Sequence, residues 1–228
     1  MNPSPQLALD LLQPLQPTLA NYVPGRNAEA LAAVRALVEG RGERFLYLFG
    51  EPGSGRTHLL RAVAALGPSR WLDAASDPVV FDSTVRLYLA DDVERYDAAR
   101  QQQLFVLQNE VRASRDAVLL AAGSAAPALL PLRDDVRTRL AWGLAYPLHA
   151  LDDAAKEAAL RTHAASRGIT LPDEVIAWLL THLPRDMRTL VAVVDALDAH
   201  ALAAKRAITL PLVRQWLQPD PGQSLPAG

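Results

Sequence analysis

The chain has 228 residues, half of them apolar and 21% charged, which is enough to bury a substantial core and excludes disorder as the default state. A net charge of −2 excludes a general attraction of the whole chain for a phosphate backbone, and the lack of cysteine excludes disulfides and thiolate metal sites. Met1 to Leu12 lacks the pattern of a secretory signal and no uncharged apolar stretch reaches membrane-spanning length, so the expectation is a cytoplasmic protein without membrane contact.

Residues 1–16 read as a flexible tail, because prolines 3, 5 and 14 interrupt any helix there. The tail nevertheless carries the apolar string Gln6-Leu7-Ala8-Leu9-Asp10-Leu11. Apolar anchors on an unpacked tail ask for a partner groove; the plainer alternative is an N-terminal helix on the core. From Asn27 to Glu39, Leu31, Val34, Leu37 and Val38 recur at helical spacing before Gly40 and Gly42 end the run. Phe45 to Phe49 is apolar at every position, as in a parallel strand covered on both faces.

Gly50-Glu51-Pro52-Gly53-Ser54-Gly55-Arg56-Thr57 follows and fits G-x-x-x-x-G-K-[ST], with arginine in the lysine position. Glycines let backbone N–H groups turn toward phosphate oxygens, the next helix adds its N-terminal dipole, and the Thr57 hydroxyl is suited to Mg2+. A bare glycine-rich turn would lack the flanking strand and helix. The planar guanidinium of Arg56 differs in shape and length from an ammonium, so nucleotide is expected to bind while hydrolysis suffers.

Further short apolar runs occur at Trp71–Ala74, Val85–Ala90, Val118–Ala122 and Leu144–Leu148, with a helical stretch at Asp97–Ala113. The interval from Ser69 to Val85 leaves little room for a helix. Leu87-Tyr88-Leu89-Ala90-Asp91-Asp92 is an apolar strand ending in two carboxylates, the arrangement of a Walker B element. Asp91 would serve Mg2+, and Asp92 would polarise the attacking water. Such a pair is also common in turns, and the phosphate loop upstream favours function.

Past Leu151 strand-like runs stop. Helical periodicity dominates at Asp153–Ser166, Asp173–Leu183, Met187–Ala204 and Leu212–Leu217. The expected architecture is an α/β P-loop three-layer sandwich on a parallel five-stranded sheet, residues 17–150, with a small all-helical lobe over 151–217 and a loose tail over 218–228.

Asn21-Tyr22-Val23-Pro24-Gly25, the loop ending Arg56-Thr57-His58-Leu59-Leu60, and Asp91-Asp92 resemble the AAA+ module of the replication initiator DnaA, and more closely its shorter relative Hda. That resemblance implies that Tyr22, Val23, Gly50, Gly53, Ser54, Gly55, Arg56, Thr57 and His58 contact ADP or ATP. Thr57 and Asp91 would hold Mg2+. Arg137-Thr138-Arg139-Leu140-Ala141-Trp142-Gly143 resembles the arginine-finger segment, with Arg139 at the finger position and Arg137 as the alternative. Met187-Arg188 resembles sensor 2, with Arg188 on the phosphates, and Ser124 falls where sensor 1 would lie. Gln6, Leu7, Leu9 and Leu11 resemble the peptide that binds the sliding clamp, the β subunit of DNA polymerase III.

Residues after Leu217 show no continuation into the DNA-binding domain that DnaA has. The resemblance therefore implies an ADP-bound regulator, docked on the DNA-loaded clamp, that uses Arg139 in trans to stimulate hydrolysis of DnaA-bound ATP. Contact with DNA would be indirect, through the clamp, and a homodimer stays open. Rival readings are an AAA+ helicase loader that turns over its own ATP, a P-loop small-molecule kinase, and a nucleotide-free adaptor.

Overall fold

The computed structural model describes residues 16–184 and 186–217, the side chain of Arg188 apart. The chain forms two compact units that meet in sequence at Leu151 and Asp152.

In the first unit, α1 (Ala28–Val38) precedes β1 (Phe45–Phe49), and α2 (Arg56–Ala64) precedes β2 (Ser69–Leu72). Then come β3 (Leu87–Ala90), α3 (Ala98–Ala113), β4 (Val118–Gly123), α4 (Asp134–Leu140) and β5 (Leu144–Pro147). The strands lie in the order β2-β3-β4-β1-β5 and every pairing is parallel. Side chains alternate across such a sheet, so the central strands β1, β3 and β4 each feed two cores. Leu46, Leu48, Leu87, Leu89, Leu120 and Ala122 face a core with Leu31, Val34 and Leu37 of α1 and Leu59, Leu60 and Val63 of α2. Tyr47, Tyr88, Ala90, Leu119 and Ala121 face the opposite core, with Leu104, Leu107 and Val111 of α3 and Val136 and Leu140 of α4. The three-layer sandwich expected from the sequence is thereby formed.

Between β2 and β3 the chain has no helix. Asp73 instead organises a turn, accepting from the backbone N–H groups of Ala75 and Ser76 at 2.8 and 2.7 Å. The strand starts differ from the sequence reading. β2 begins at Ser69 rather than Trp71 and stops at Leu72, since Asp73 caps this turn, and β3 begins at Leu87 rather than Val85. Helix α4 carries both candidate finger arginines and is too short for its periodicity to stand out in the sequence.

The second unit consists of α5 (Asp153–Ser166), α6 (Asp173–His182), α7 (Met187–Ala204) and α8 (Leu210–Leu217). Its core is built from Leu160, Val175, Ile176, Leu179, Leu190, Val193, Val194, Leu197 and Val213, which in α6 and α7 fall on one helical stripe. Asp152 and Asp186 supply N-caps, accepting from Ala155 and Thr189 N–H at 2.8 and 2.9 Å. Lys205, at φ 52°, ends α7 in the left-handed conformation. Helix α8 starts two residues earlier than its apolar pattern suggests, because Pro211 is accommodated in the first turn, where no N–H is needed. Among the described residues no helix is long and apolar enough to cross a membrane.

Candidate functional site

The loop from Gly50 to Gly55 leaves β1 at the carboxyl end of the sheet and turns directly into α2. Gly50 donates its N–H to Gly123 O at 3.2 Å, and Leu148 N–H returns to Phe49 O at 2.6 Å, so the loop mouth is fixed to both neighbouring strands. A side chain at Gly50 would lie 2.2 Å from Leu148 O. Gly53 and Gly55 have φ of 84° and 96°, which a β-carbon disfavours, and a side chain at Gly55 would also strike the Tyr22 ring at 2.8 Å. The loop therefore requires its glycines. The hydroxyl of Ser54 is buried without a hydrogen-bond partner, an orphan that a phosphate oxygen would satisfy.

Tyr22 packs over the loop. Its hydroxyl accepts from Asn27 Nδ2 at 3.2 Å, and burial raises its pKa above the ordinary value. Val23 beside it is half-buried. The His58 ring lies 5.4 Å from the Tyr22 ring, and its Nε2 is 3.1 Å from Thr18 O. Asn27 is buried, and its amide spans to the backbone of His149, donating to the carbonyl and accepting from the N–H, each at 2.8 Å. An asparagine before a helix reads as an N-cap. This one makes no capping bond and instead ties the segment before α1 to the end of β5, which is why sequence reasoning passed over it.

The Walker B end faces the same loop. Thr57 Oγ1 donates to Asp91 Oδ2 at 2.8 Å, and Asp91 Oδ1 accepts from Asp92 N–H at 3.0 Å. Burial raises the Asp91 pKa and the Asp92 charge adds to this, against the lowering effect of the Thr57 hydrogen bond. No group of three or more His, Cys, Asp or Glu among the described residues forms a metal cage. Thr57 and Asp91 together suit a Mg2+ that takes its remaining oxygens from phosphate and water.

Arg56 is ion-paired with two carboxylates past the end of β3. Its side chain is only 9% exposed, with Nη2 3.3 Å from Asp92 Oδ1 and Nη1 3.6 Å from Glu94 Oε1. Asp92 adopts φ 45°, a left-handed conformation that aspartate tolerates better than most residues, and it opens the short 3-10 turn Val93–Arg95. Fully buried Val93 anchors that turn, with Glu94 beside Arg56. Glu94 was invisible as a site residue: its only sequence signal is a charge two positions past the acidic pair.

On the sheet's other side α4 presents Arg139. Its guanidinium lies 3.8 Å from the Phe105 ring centroid and 5.0 Å from that of Trp142. Its Nε donates to Asn109 Oδ1 at 3.2 Å, and Nη1 donates to Asp135 O at 3.2 Å. Arg137 is paired with Asp134, whereas no carboxylate among the described residues pairs with Arg139. Gly143 allows Trp142 its place, since a β-carbon there would fall 1.9 Å from Phe45 O. Ser124 is exposed beyond the end of β4. Arg188 lies in α7 with its side chain outside the described residues, as are Gln6, Leu7, Leu9 and Leu11.

A parallel five-stranded sheet, a glycine loop opening a helix, an acidic strand end and a helical second unit give the chain the fold of a P-loop AAA+ module. Solved structures agree. Domain III of the Thermotoga maritima replication initiation protein DnaA superposes with a TM-score of 0.68 at 19% identity, over 89% of this chain and 96% of that one. AMPPCP-bound DnaA from Aquifex aeolicus gives 0.65 at 20% identity, over 85% and 68%. The Thermotoga maritima RuvB Holliday junction branch migration motor gives 0.58 at 16% identity, over 84% and 67%. Residues 153–217 match the family described as the Hda lid domain. The chain thus shares the AAA+ fold of these structures, and its helical second unit is similar to the Hda lid domain.

Proposed function

We propose that this protein is a negative regulator of replication initiation: with ADP and Mg2+ bound, and docked on the DNA-loaded sliding clamp, it stimulates hydrolysis of DnaA-bound ATP by presenting Arg139. The observation that carries the reading is the state of Arg139. It is a cation held on two aromatic rings and two hydrogen-bond acceptors, with no carboxylate among the described residues to neutralise it. Phosphoryl transfer spreads negative charge over equatorial oxygens, and an arginine already oriented and uncompensated stabilises that charge with little reorganisation.

Nucleotide holding is supported by the glycine geometry of residues 50–55, the orphan Ser54 hydroxyl and the Thr57–Asp91 pair. When bound, Mg2+ would screen the phosphates, and this chain's loop amides, Thr57 and Asp91 would orient them. Arg188 is proposed as a further phosphate contact. The pairing of Arg56 with Asp92 engages the carboxylate that would otherwise polarise water, which favours a regulator over a helicase loader with robust turnover. Docking by Gln6, Leu7, Leu9 and Leu11 would raise local concentration near DnaA. The setting proposed is the cytoplasm, where DnaA and the clamp would meet.

The test is reconstitution of DnaA, clamp loaded on DNA, and this protein with ADP. Stimulated release of phosphate from DnaA-bound ATP that needs all three is expected. Phosphate release unchanged by adding the protein would defeat the proposal.

A further inference from the structure

The charge balance around Arg56 goes beyond nucleotide holding as such. We propose that Glu94 is a specificity-determining residue which, acting through Arg56, makes the site favour a nucleoside diphosphate over the triphosphate. This rests on the reading of residues 50–57 as a nucleotide-holding loop.

In a P-loop the backbone amides cradle the α- and β-phosphates, while the side chain in the position of Arg56 serves the β- and γ-phosphates. Here that side chain is already engaged on both nitrogens, by Asp92 at 3.3 Å and Glu94 at 3.6 Å. One positive charge therefore faces two negative ones. Arg95 offers only partial relief, since its Nη1 lies 3.7 Å from Asp92 Oδ2 and the side chain is 72% exposed, where solvent and salt weaken it.

Glu94 is the more consequential carboxylate because it is the less exposed of the two, at 17% against 31% for Asp92. Its Oε2 has no hydrogen-bond partner, and neither has Nη1 of Arg56. The Tyr47 hydroxyl is committed elsewhere, donating to Ala125 O at 2.7 Å. Space for Glu94 depends on Gly123 at the end of β4, where a β-carbon would fall 3.2 Å from Oε2 and 2.2 Å from the Tyr47 hydroxyl oxygen. Drawing Arg56 toward a γ-phosphate would strip a largely desolvated carboxylate of its counter-charge, which costs more than weakening an exposed pair. A diphosphate seated on the loop amides makes no such demand. The additional charge of a triphosphate would also enter a cluster that is already net negative.

The test titrates the full-length, nucleotide-free protein with MgADP and with the magnesium complex of AMPPCP by calorimetry, and records the thermal midpoint of each variant. The wild-type chain is expected to prefer the diphosphate by about tenfold or more. Glu94→Gln, nearly isosteric, should shrink that preference about tenfold, mostly by tightening AMPPCP. Arg56→Lys, whose single ammonium cannot serve both carboxylates, should shift the ratio in the same direction and carries the test if Glu94→Gln does not fold. A purely structural Glu94 would change both affinities together, and an unmoved ratio overturns the inference while leaving nucleotide holding intact. Wild-type protein that binds neither nucleotide overturns the nucleotide reading and the inference with it.

Discussion

The central guanidinium carbon of Arg139 lies 3.8 Å from the ring centroid of Phe105, one residue on α4 and the other on α3. The aromatic face holds the charge without neutralising it, which a carboxylate would do. Because a finger supplied in trans is worth about 10³-fold or more in turnover, Arg139→Ala should reduce stimulation of DnaA ATPase to near background. ADP affinity should stay the same, since the residue lies away from residues 50–57. Stimulation within twofold of wild type would rule Arg139 out and turn attention to Arg137.

Phe105→Ala should have a graded effect. Asn109 and Asp135 O still bind the guanidinium, and the lost ring contact is worth about 0.5–2 kcal/mol, or about two- to thirtyfold in stimulation. Phe105→Tyr, which keeps the face, should restore most of it. Equal losses in the two variants would show that the ring orients nothing.

Asp91 is a carboxylate kept in a place that disfavours its charge. Its folded pKa is raised, so above that value the ionised form costs stability, and the cost vanishes as pH falls through the folded pKa toward the unfolded value. Asp91→Asn should therefore stabilise the nucleotide-free protein at pH 7 by about 1 kcal/mol, or about 2–4 °C, and abolish Mg2+-dependent nucleotide binding. The gain should narrow as the pH is lowered toward 4. A difference in thermal midpoint that stays constant from pH 7 to 4 would contradict the assignment.

Gly143→Ala would drive a β-carbon to 1.9 Å from a backbone oxygen of β1. The strand cannot retreat without loosening its pairing with β4 and β5, so a loss of about 3 kcal/mol is expected, at the upper end for overpacking. Trp142, whose ring meets Phe45 edge-on at 5.8 Å, should move with it, and chemical denaturation together with tryptophan fluorescence would report both. An unchanged midpoint would mean the loop yields more readily than its contacts suggest.

Removal of residues 1–15 should leave the thermal midpoint unchanged while abolishing clamp-dependent stimulation. A Gln6→Ala, Leu9→Ala double variant should do the same by surface-immobilised clamp binding. Retained binding in the double variant would detach the tail from the proposed mechanism.

Much of this molecule was legible in one dimension. An all-apolar pentapeptide at Phe45–Phe49, a glycine loop and a helix in immediate succession leave few alternatives, and the switch at Leu151 from strand-like runs to three- and four-residue spacing marks where the second unit begins. Helix ends were readable where aspartates cap them, as at Asp152 and Asp186. Strand starts were not, because edge residues such as Ser69 gain strand structure from a neighbour's hydrogen bonds rather than from their own apolarity. Likewise, Asn27 and Glu94 act through partners 122 and 38 residues away in the chain, His149 and Arg56 respectively, and such partners leave no local pattern.

Local periodicity and backbone demands alone determined the parallel sheet, the phosphate loop and the helical second unit, since each follows from residues adjacent in the chain. The state of the arginines was decided only in three dimensions. Arg56 and Arg139 are the same residue type on the same surface-seeking prior, yet one is buried between two carboxylates and the other is held on aromatic rings with its charge intact. Electrostatic environment depends on what the fold brings within a few ångströms, and that is set by tertiary packing.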